Sequence, residues 1–203
     1  TSTAATSSTA STTTTTTAPD ETYATAVWPW PDSAQRFNDP VAAVRSFAVE
    51  FVGFRAPVIG EFMQGDARSG EVEVRPRANG PATTVFVRQL GADDTWWVLG
   101  SATENIVVDA PAAGATIRSP LPLAGRARAF EGTVNVEARA DGAVAPLGEG
   151  VVTGSGDGTL GPFTGELEFS DPRSGRGALA FKTLSGQDGS IWEASVVRIT
   201  FGG

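Results

Sequence analysis

From residue 106 to the end of the chain, apolar and polar side chains alternate in short segments that follow one another closely. Val134, Val136 and Ala138, for example, alternate with polar residues. Successive side chains of a strand point to opposite faces, so this pattern predicts strands with one buried and one solvated face. The predicted strands cover residues 106–109, 121–130, 133–140, 143–153, 159–169, 177–183 and 191–201. This number of short strands predicts an immunoglobulin-like sandwich of two antiparallel sheets.

The strongest helix signal begins at Asp39-Pro40, because Asp suits an N-cap and Pro suits the first helical position. Apolar residues then recur at three- and four-residue spacing, at Val41, Val44, Phe47, Ala48, Phe51 and Phe54. Gly53 and Pro57 end this pattern. Alternating strand patterns follow at residues 71–75, 84–88 and 95–99. The sequence therefore predicts a mainly β protein whose first part is a small α+β domain, with one helix on an antiparallel sheet.

The first 26 residues contain 16 Thr or Ser and almost no large apolar side chain. Such a segment buries too little apolar surface to offset the entropy lost on ordering. We therefore expect a disordered tether at residues 1–26, the α+β domain at 27–103 and the sandwich at 104–203. The tether resembles the stalk that remains after an export signal is removed, which allows either secretion or a lipid anchor upstream of residue 1. It is either an unmodified linker or an O-glycosylated stalk.

Five tryptophans are a large number for a chain of this size. Trp28 and Trp30 project from a segment stiffened by proline, and Trp96 and Trp97 are neighbours in a predicted strand. Adjacent strand residues face opposite sides, so we expect one of Trp96 and Trp97 in the core and the other on the outer face. The four residues are candidate partner contacts. The alternative is that Trp28 and Trp30 pack onto the first domain as a latch.

The chain has no histidine and no cysteine, which excludes Ser-His-Asp and Cys-His catalysis and the usual zinc sites. A net charge of −8 argues against nucleic-acid binding. No apolar run is long enough to predict a transmembrane segment. A pair of carboxylates would still allow glycoside hydrolysis, which is a remote alternative. We predict no catalytic residue, no metal site and no cofactor.

One stretch of the C-terminal half resembles a known family. It runs from Ile106-Val107-Val108-Asp109-Ala110-Pro111 through Gly114 and Ile117-Arg118 to the core motif. That motif reads Ser119-Pro120-Leu121-Pro122-Leu123-Ala124-Gly125-Arg126-Ala127-Arg128-Ala129-Phe130-Glu131-Gly132. Together with the later Gly161-Pro162-Phe163 and Asp188-Gly189-Ser190, it resembles the Gmad2 family. The resemblance covers roughly residues 104–203.

Gmad2 is the immunoglobulin-like domain associated with bacterial spore germination proteins. The resemblance implies an exported protein or lipoprotein of Gram-positive or actinobacterial cells. It also implies a binding or interaction module, and it carries no catalytic residues over to this chain. The use of 14 Arg against one Lys agrees with the GC-rich genomes of actinobacteria.

The motif also has a structural interpretation. Its members of interest are Ser119, Pro120, Gly125, Ala127, Phe130, Glu131 and Gly132. We expect Ser119-Pro120 and Gly125 to shape a strand entry and a bend, and Gly132 to form a turn. Phe130 is predicted to be a core residue. Glu131 is predicted to cap a turn or to pair with Arg126 or Arg128, and the alternative is that the motif contacts a ligand.

These observations predict a non-catalytic, extracytoplasmic binding protein of the bacterial cell envelope, either membrane-anchored or secreted. Its expected partner is another envelope protein or a cell-wall glycan, bound at the junction of the two domains. A structural spacer or assembly subunit of an envelope complex is the alternative. An exposed aromatic patch would favour binding over spacing.

Overall fold

The computed structural model describes residues 22–202. The predicted helix is present as α1 (Pro40–Ser46) and continues as a π-helical segment over Phe47–Val52. The Asp39 Oδ2 atom accepts a hydrogen bond from the Ala42 N–H at 2.7 Å, which is the expected N-cap. Gly53 ends the helix with a φ of 98°, a left-handed conformation that glycine adopts without strain.

Twelve strands are present within residues 22–202. Their bounds are β1 Val58–Gln64, β2 Ser69–Arg75, β3 Thr83–Leu90, β4 Thr95–Ala102, β5 Ile106–Ala110, β6 Thr116–Ile117, β7 Leu121–Ala127, β8 Thr133–Ala140, β9 Gly148–Thr153, β10 Gly161–Leu167, β11 Ser174–Leu184 and β12 Ile191–Gly202. The sequence pattern does not predict β1 or β6. β1 is an edge strand without regular alternation of burial, and β6 has only two residues.

The strands form two sheets. The larger sheet has the order β1-β2-β3-β4-β12-β11-β8-β9, with β6 added beside β12, and the smaller has the order β10-β7-β5. Pairing is antiparallel throughout except between β6 and β12. Residues 22–202 are mainly β, with the helical segment of residues 40–52 and an open antiparallel sandwich, which confirms the predicted fold class.

Strands β11 and β12 serve two hydrophobic cores. On β11, Leu179 and Phe181 pack in the core between the two sheets, whereas Ala178 and Ala180 pack beneath the helix. β12 pairs with β11 along one edge and with β4 along the other, where Val196 lies opposite Ser101. The sheet is therefore continuous across the predicted boundary at residues 103 and 104. Independent folding of residues 104–203 stays a prediction.

The N-terminal segment differs from its prediction at one end. Residues 1–21 lie outside the described residues. Residues 22–26 belong to the fold: Ala26 is fully buried, and the Arg198 Nε donates to the Ala24 carbonyl at 3.0 Å. The prediction that the tether extends to residue 26 is wrong here, because Tyr23 supplies an aromatic ring that packs on Trp97.

Candidate functional site

The motif residues that follow β7 form a tight corner before β8. Glu131 and Gly132 both have left-handed backbone, with φ values of 54° and 70°. The Gly132 N–H donates to the Ala129 carbonyl at 3.0 Å, and the Gly154 N–H donates to the Gly132 carbonyl at 2.8 Å. A Cβ on Gly132 would lie 2.8 Å from the Gly154 carbonyl oxygen, so only glycine fits at this position.

The corner turns the Phe130 side chain outward. The ring is 62% exposed, so the prediction that Phe130 belongs to the core is wrong. The physical reason is that β7 ends at Ala127, and the alternation of faces ends with it. The ring lies against the backbone of Gly186, where a Cβ would be 2.9 Å from ring atoms. An apolar ring is therefore held in place at the surface.

A groove of about 570 Å³ opens beside this ring. Trp192 and Leu184 supply further apolar walls, and Leu184 is itself exposed. The guanidinium of Arg77 stacks on Trp192, 4.6 Å from the ring centroid, and its Nη1 donates to the Gln187 Oε1 at 3.1 Å. The cation–π contact orients the arginine at the rim of the groove.

Glu193 lies at the floor of the groove and is almost fully buried. Its carboxylate accepts hydrogen bonds from the Thr103 hydroxyl, from the Asn105 amide at 2.9 Å and from the Thr183 hydroxyl at 3.3 Å. Burial raises the pKa of the Glu193 carboxyl, and these hydrogen bonds oppose the effect only in part. Because these hydrogen bonds already occupy its oxygens, Glu193 holds the residues around the groove in place and does not present a carboxylate to a ligand.

Arg128 links this groove to a second, adjoining cavity of about 690 Å³. Its Nε donates to the Asn105 Oδ1 at 2.9 Å, and its Nη1 donates to the Gly158 carbonyl at 3.2 Å. Glu71, Glu73 and Glu104 line the adjoining cavity, and Glu73 pairs with Arg75 at 2.9 Å. Within residues 22–202, no group of three or more acidic side chains is arranged to hold a metal ion.

The four tryptophans proposed as contacts differ in how deeply they are buried. Trp28 and Trp97 are buried, which contradicts a contact role for these two side chains. The Trp28 backbone pairs with Val98 of β4, and Trp97 lies beneath Tyr23. Trp30 and Trp96 are half-buried and pack against the core beneath the helix. The latch interpretation therefore describes Trp28, and Trp30 keeps an accessible face.

The upstream motif residues are structural. The Ser119 hydroxyl accepts a hydrogen bond from the Phe169 N–H at 3.0 Å, while Pro120 is exposed. A Cβ on Gly125 would lie 2.3 Å from the Val107 carbonyl oxygen, which requires glycine where β7 meets β5. Ala127 is fully buried.

Neither arginine expected near Glu131 pairs with it. Arg126 lies 3.6 Å from Asp109, and Arg128 is bound to Asn105. Glu131 is exposed and occupies the left-handed turn itself.

Residues 105–190 match the Gmad2 family model. That family is described as the immunoglobulin-like domain of bacterial spore germination. The match confirms the resemblance inferred from the motif and covers less than half of the 203-residue chain. Comparison with curated proteins and with solved structures finds no match.

The Gmad2 segment contains Asn105, Arg128 and Phe130 but ends before Trp192 and Glu193. Arg77 comes from the turn between β2 and β3, in the first half of the chain. The groove is thus built by the Gmad2 segment together with residues outside it. Nothing local to Arg77, Trp192 or Glu193 indicates that these residues meet, so the sequence did not predict their place in the groove. Within residues 22–202, no helix has the length and apolar content needed to cross a membrane.

Proposed function

We propose that this chain is a non-catalytic, extracytoplasmic binding protein of the bacterial cell envelope, and that the groove beside Phe130 holds a segment of another envelope protein. The observation that carries the proposal is the exposed Phe130 ring, presented by the corner of the Gmad2 motif. Exposure of a large aromatic ring costs hydrophobic stabilisation unless a partner covers it. A lipid anchor upstream of residue 1 belongs to the same proposal.

The composition of the groove suits a protein partner. Phe130, Trp192 and Leu184 offer apolar contact area, and the stacked Arg77 offers a charged rim. Aromatic and arginine side chains are the residue types that dominate binding energy at protein interfaces. The guanidinium of Arg77 at the rim of the groove, in a chain with net charge −8, favours a partner segment that carries a carboxylate.

Photo-crosslinking tests this proposal in the cell. A benzoylphenylalanine placed at position 130 replaces one aromatic ring with another at an exposed site. It should crosslink to an envelope protein that mass spectrometry identifies. The matched control is the same probe at Met63, which is 52% exposed on the edge strand β1 and does not line the groove. Crosslinking should also fall in an Arg77→Ala background.

The outcomes are distinct. Equal crosslinking from positions 130 and 63 would remove the groove from the proposal. Recovery of the chain in the cytosolic fraction would overturn the envelope location. Metabolic labelling with a fatty-acid analogue, followed by gel analysis of the full-length protein, would test the lipid anchor separately.

A further inference from the structure

A separate cavity of about 450 Å³ lies where the N-terminal segment meets the sandwich. Its walls include Trp30, Asp32 and Ser33 from the N-terminal segment. The opposite side is formed by Asp141, in the turn after β8, and Arg176 on β11. This volume falls within the range of small-molecule sites, which is about 300–1,000 Å³. The groove beside Phe130 shares none of these residues.

The indole of Trp30 is held in a fixed orientation. It packs edge-on against Trp28 with ring centroids 5.0 Å apart. Trp28 is in turn buried, and its Nε1 donates to the Ser46 hydroxyl at 3.0 Å. Because Trp30 is only half-buried, it can offer part of an aromatic surface to the cavity without further ordering.

Ser33 provides an unsatisfied polar group in the wall of the same cavity. Its hydroxyl oxygen is buried, and it has no hydrogen-bond partner among the described residues. The Ser33 carbonyl, by contrast, accepts from the Arg36 Nη1 at 2.7 Å. A buried hydroxyl without a partner is costly, and rotation of the Ser33 side chain toward the cavity would let a ligand hydroxyl restore the lost hydrogen bond.

The charged groups around the cavity include both signs. Both oxygens of Asp141 accept from Arg198, each at 2.6 Å, so this carboxylate is fixed and neutralised. Asp32 and Arg176 add one charge of each sign. Such a balance favours a neutral ligand with several hydroxyl groups over a simple anion or cation. The space beside Gly142 and Gly175 at the rim is open, since a Cβ at either would meet no atom within 4 Å.

We propose that this cavity is a carbohydrate subsite that binds one neutral pyranose ring of a glycan. The apolar C–H face of the sugar lies on Trp30, and its hydroxyls bond to Asp32 at the rim and to Ser33. An aromatic ring with a few convergent polar groups is the chemistry that recognises such a ligand. The site is independent of the groove beside Phe130, so either proposal can fail without the other.

Titration of the full chain with glucose, N-acetylglucosamine and their linear oligomers tests the subsite. The readouts are the indole N–H resonances of ¹⁵N-labelled protein and intrinsic tryptophan fluorescence. The expected result is a saturable shift of the Trp30 resonance by at least one of these sugars. Trp30→Ala should weaken binding at least tenfold, and Ser33→Ala should weaken it by less. Trp30→Phe should keep part of the affinity, because an aromatic face remains.

Two controls keep the result interpretable. Met63→Ala is exposed on β1 and should bind like the parent chain. Asp32→Ala changes an exposed residue at the rim, so its fold should persist and its affinity should fall. Absence of a saturable shift with every sugar in a folded sample would overturn the subsite. Undiminished binding by Trp30→Ala, or competition by tetramethylammonium or inorganic phosphate, would also overturn it.

Discussion

The phenol ring of Tyr23 lies on the indole of Trp97, with ring centroids 4.4 Å apart and planes inclined by 34°. On the same indole, the guanidinium of Arg36 lies 4.9 Å from the ring centroid. Trp97 itself is fully buried, and its Nε1 donates to the Thr95 hydroxyl at 3.0 Å. The N-terminal segment therefore covers one face of β4, while the helix covers the core on the other face.

Removal of this cover should destabilise the fold. Tyr23→Ala is expected to lower the free energy of unfolding by about 1–3 kcal/mol, because an aromatic pair and part of the burial of Trp97 are lost. Urea unfolding followed by tryptophan fluorescence measures the change. Thr25→Ala, at an exposed neighbouring position, serves as the control and should change stability little. Equal stability of Tyr23→Ala and the parent chain would show that the segment is not part of the folded unit.

The exposure of Phe130 separates its role from that of a core phenylalanine. Phe130→Ala should cost less than about 1 kcal/mol, whereas Phe181→Ala should cost about 3–5 kcal/mol, because Phe181 is fully buried between the sheets. Paired urea denaturation curves of the two variants test this difference. A large loss in Phe130→Ala would place the ring in the core and remove it from the groove.

Glu193 should make stability depend on pH in a defined direction. Since burial raises its pKa in the folded state, the native protein takes up the proton at a higher pH than the unfolded chain. The stability that this group contributes is present below the unfolded pKa and is lost as pH rises through the folded pKa. Glu193→Gln should therefore gain stability relative to the parent chain as pH rises from about 4 to 7.

This comparison uses differences between variants, because other carboxyls titrate in the opposite sense. Hydrogen bonds from Ser155 and Thr159 lower the pKa of Asp157 to about 2. Thermal unfolding at a series of pH values gives the difference curve for Glu193→Gln. Glu166→Gln removes a carboxylate on the exposed face of β10, outside the Glu193 site, and serves as the control. A flat curve for Glu193→Gln would contradict the assigned pKa shift.

The only lysine of the chain, Lys182, is buried and contacts the Glu137 carboxylate. Arg139 pairs with the same carboxylate at 2.6 Å, and its Nη1 donates to the Phe51 carbonyl at 3.1 Å. Burial alone would raise the pKa of Glu137, but the pairing with Lys182 and Arg139 holds it below its usual value. The cluster therefore ties the sheet to the end of the helical segment.

Removal of one partner from this cluster should be costly. Lys182→Met is expected to lower the free energy of unfolding by about 3–5 kcal/mol, because a buried carboxylate loses one of its two cations. The double variant with Glu137→Leu should recover a large part of this loss. A double-mutant cycle with Glu137→Leu alone measures the coupling. Additive effects of the two substitutions would show that the pair does not act as a unit.

The predicted boundary at residues 103 and 104 also has a measurable consequence. The sandwich core is formed entirely within residues 106–201, so the fragment 104–203 should unfold cooperatively. Its Tm should be lower than that of the full chain, because Ala178, Ala180 and Val196 lose the helix that covers them. Circular dichroism of the fragment against the full chain tests both statements. Absence of a cooperative transition would show that the two cores fold only together.

Local sequence patterns determined most of the helical and strand elements of this protein, with β1 and β6 as exceptions. The pair Asp39-Pro40 and the Gly53 stop define the helical segment, and the alternation in residues 133–140 defines β8 and its buried face. These signals are local because capping, left-handed turns and strand alternation depend on residues a few positions apart. Gly125 and Gly132 are different, because the backbone that requires glycine there, at Val107 and Gly154, is distant in sequence and approaches only in the tertiary structure.

Only the tertiary structure decided which faces are covered. Phe130 follows the end of β7, where the alternation of buried and exposed residues no longer applies. The pattern therefore does not predict that the corner at Glu131 turns the Phe130 ring outward. Trp97 is buried because Tyr23, distant in sequence, packs on it, and the groove exists because Arg77 and Trp192 meet across the fold. Periodicity shows that a residue has a preferred face. What covers that face depends on contacts between residues far apart in the chain, and these contacts leave no local pattern.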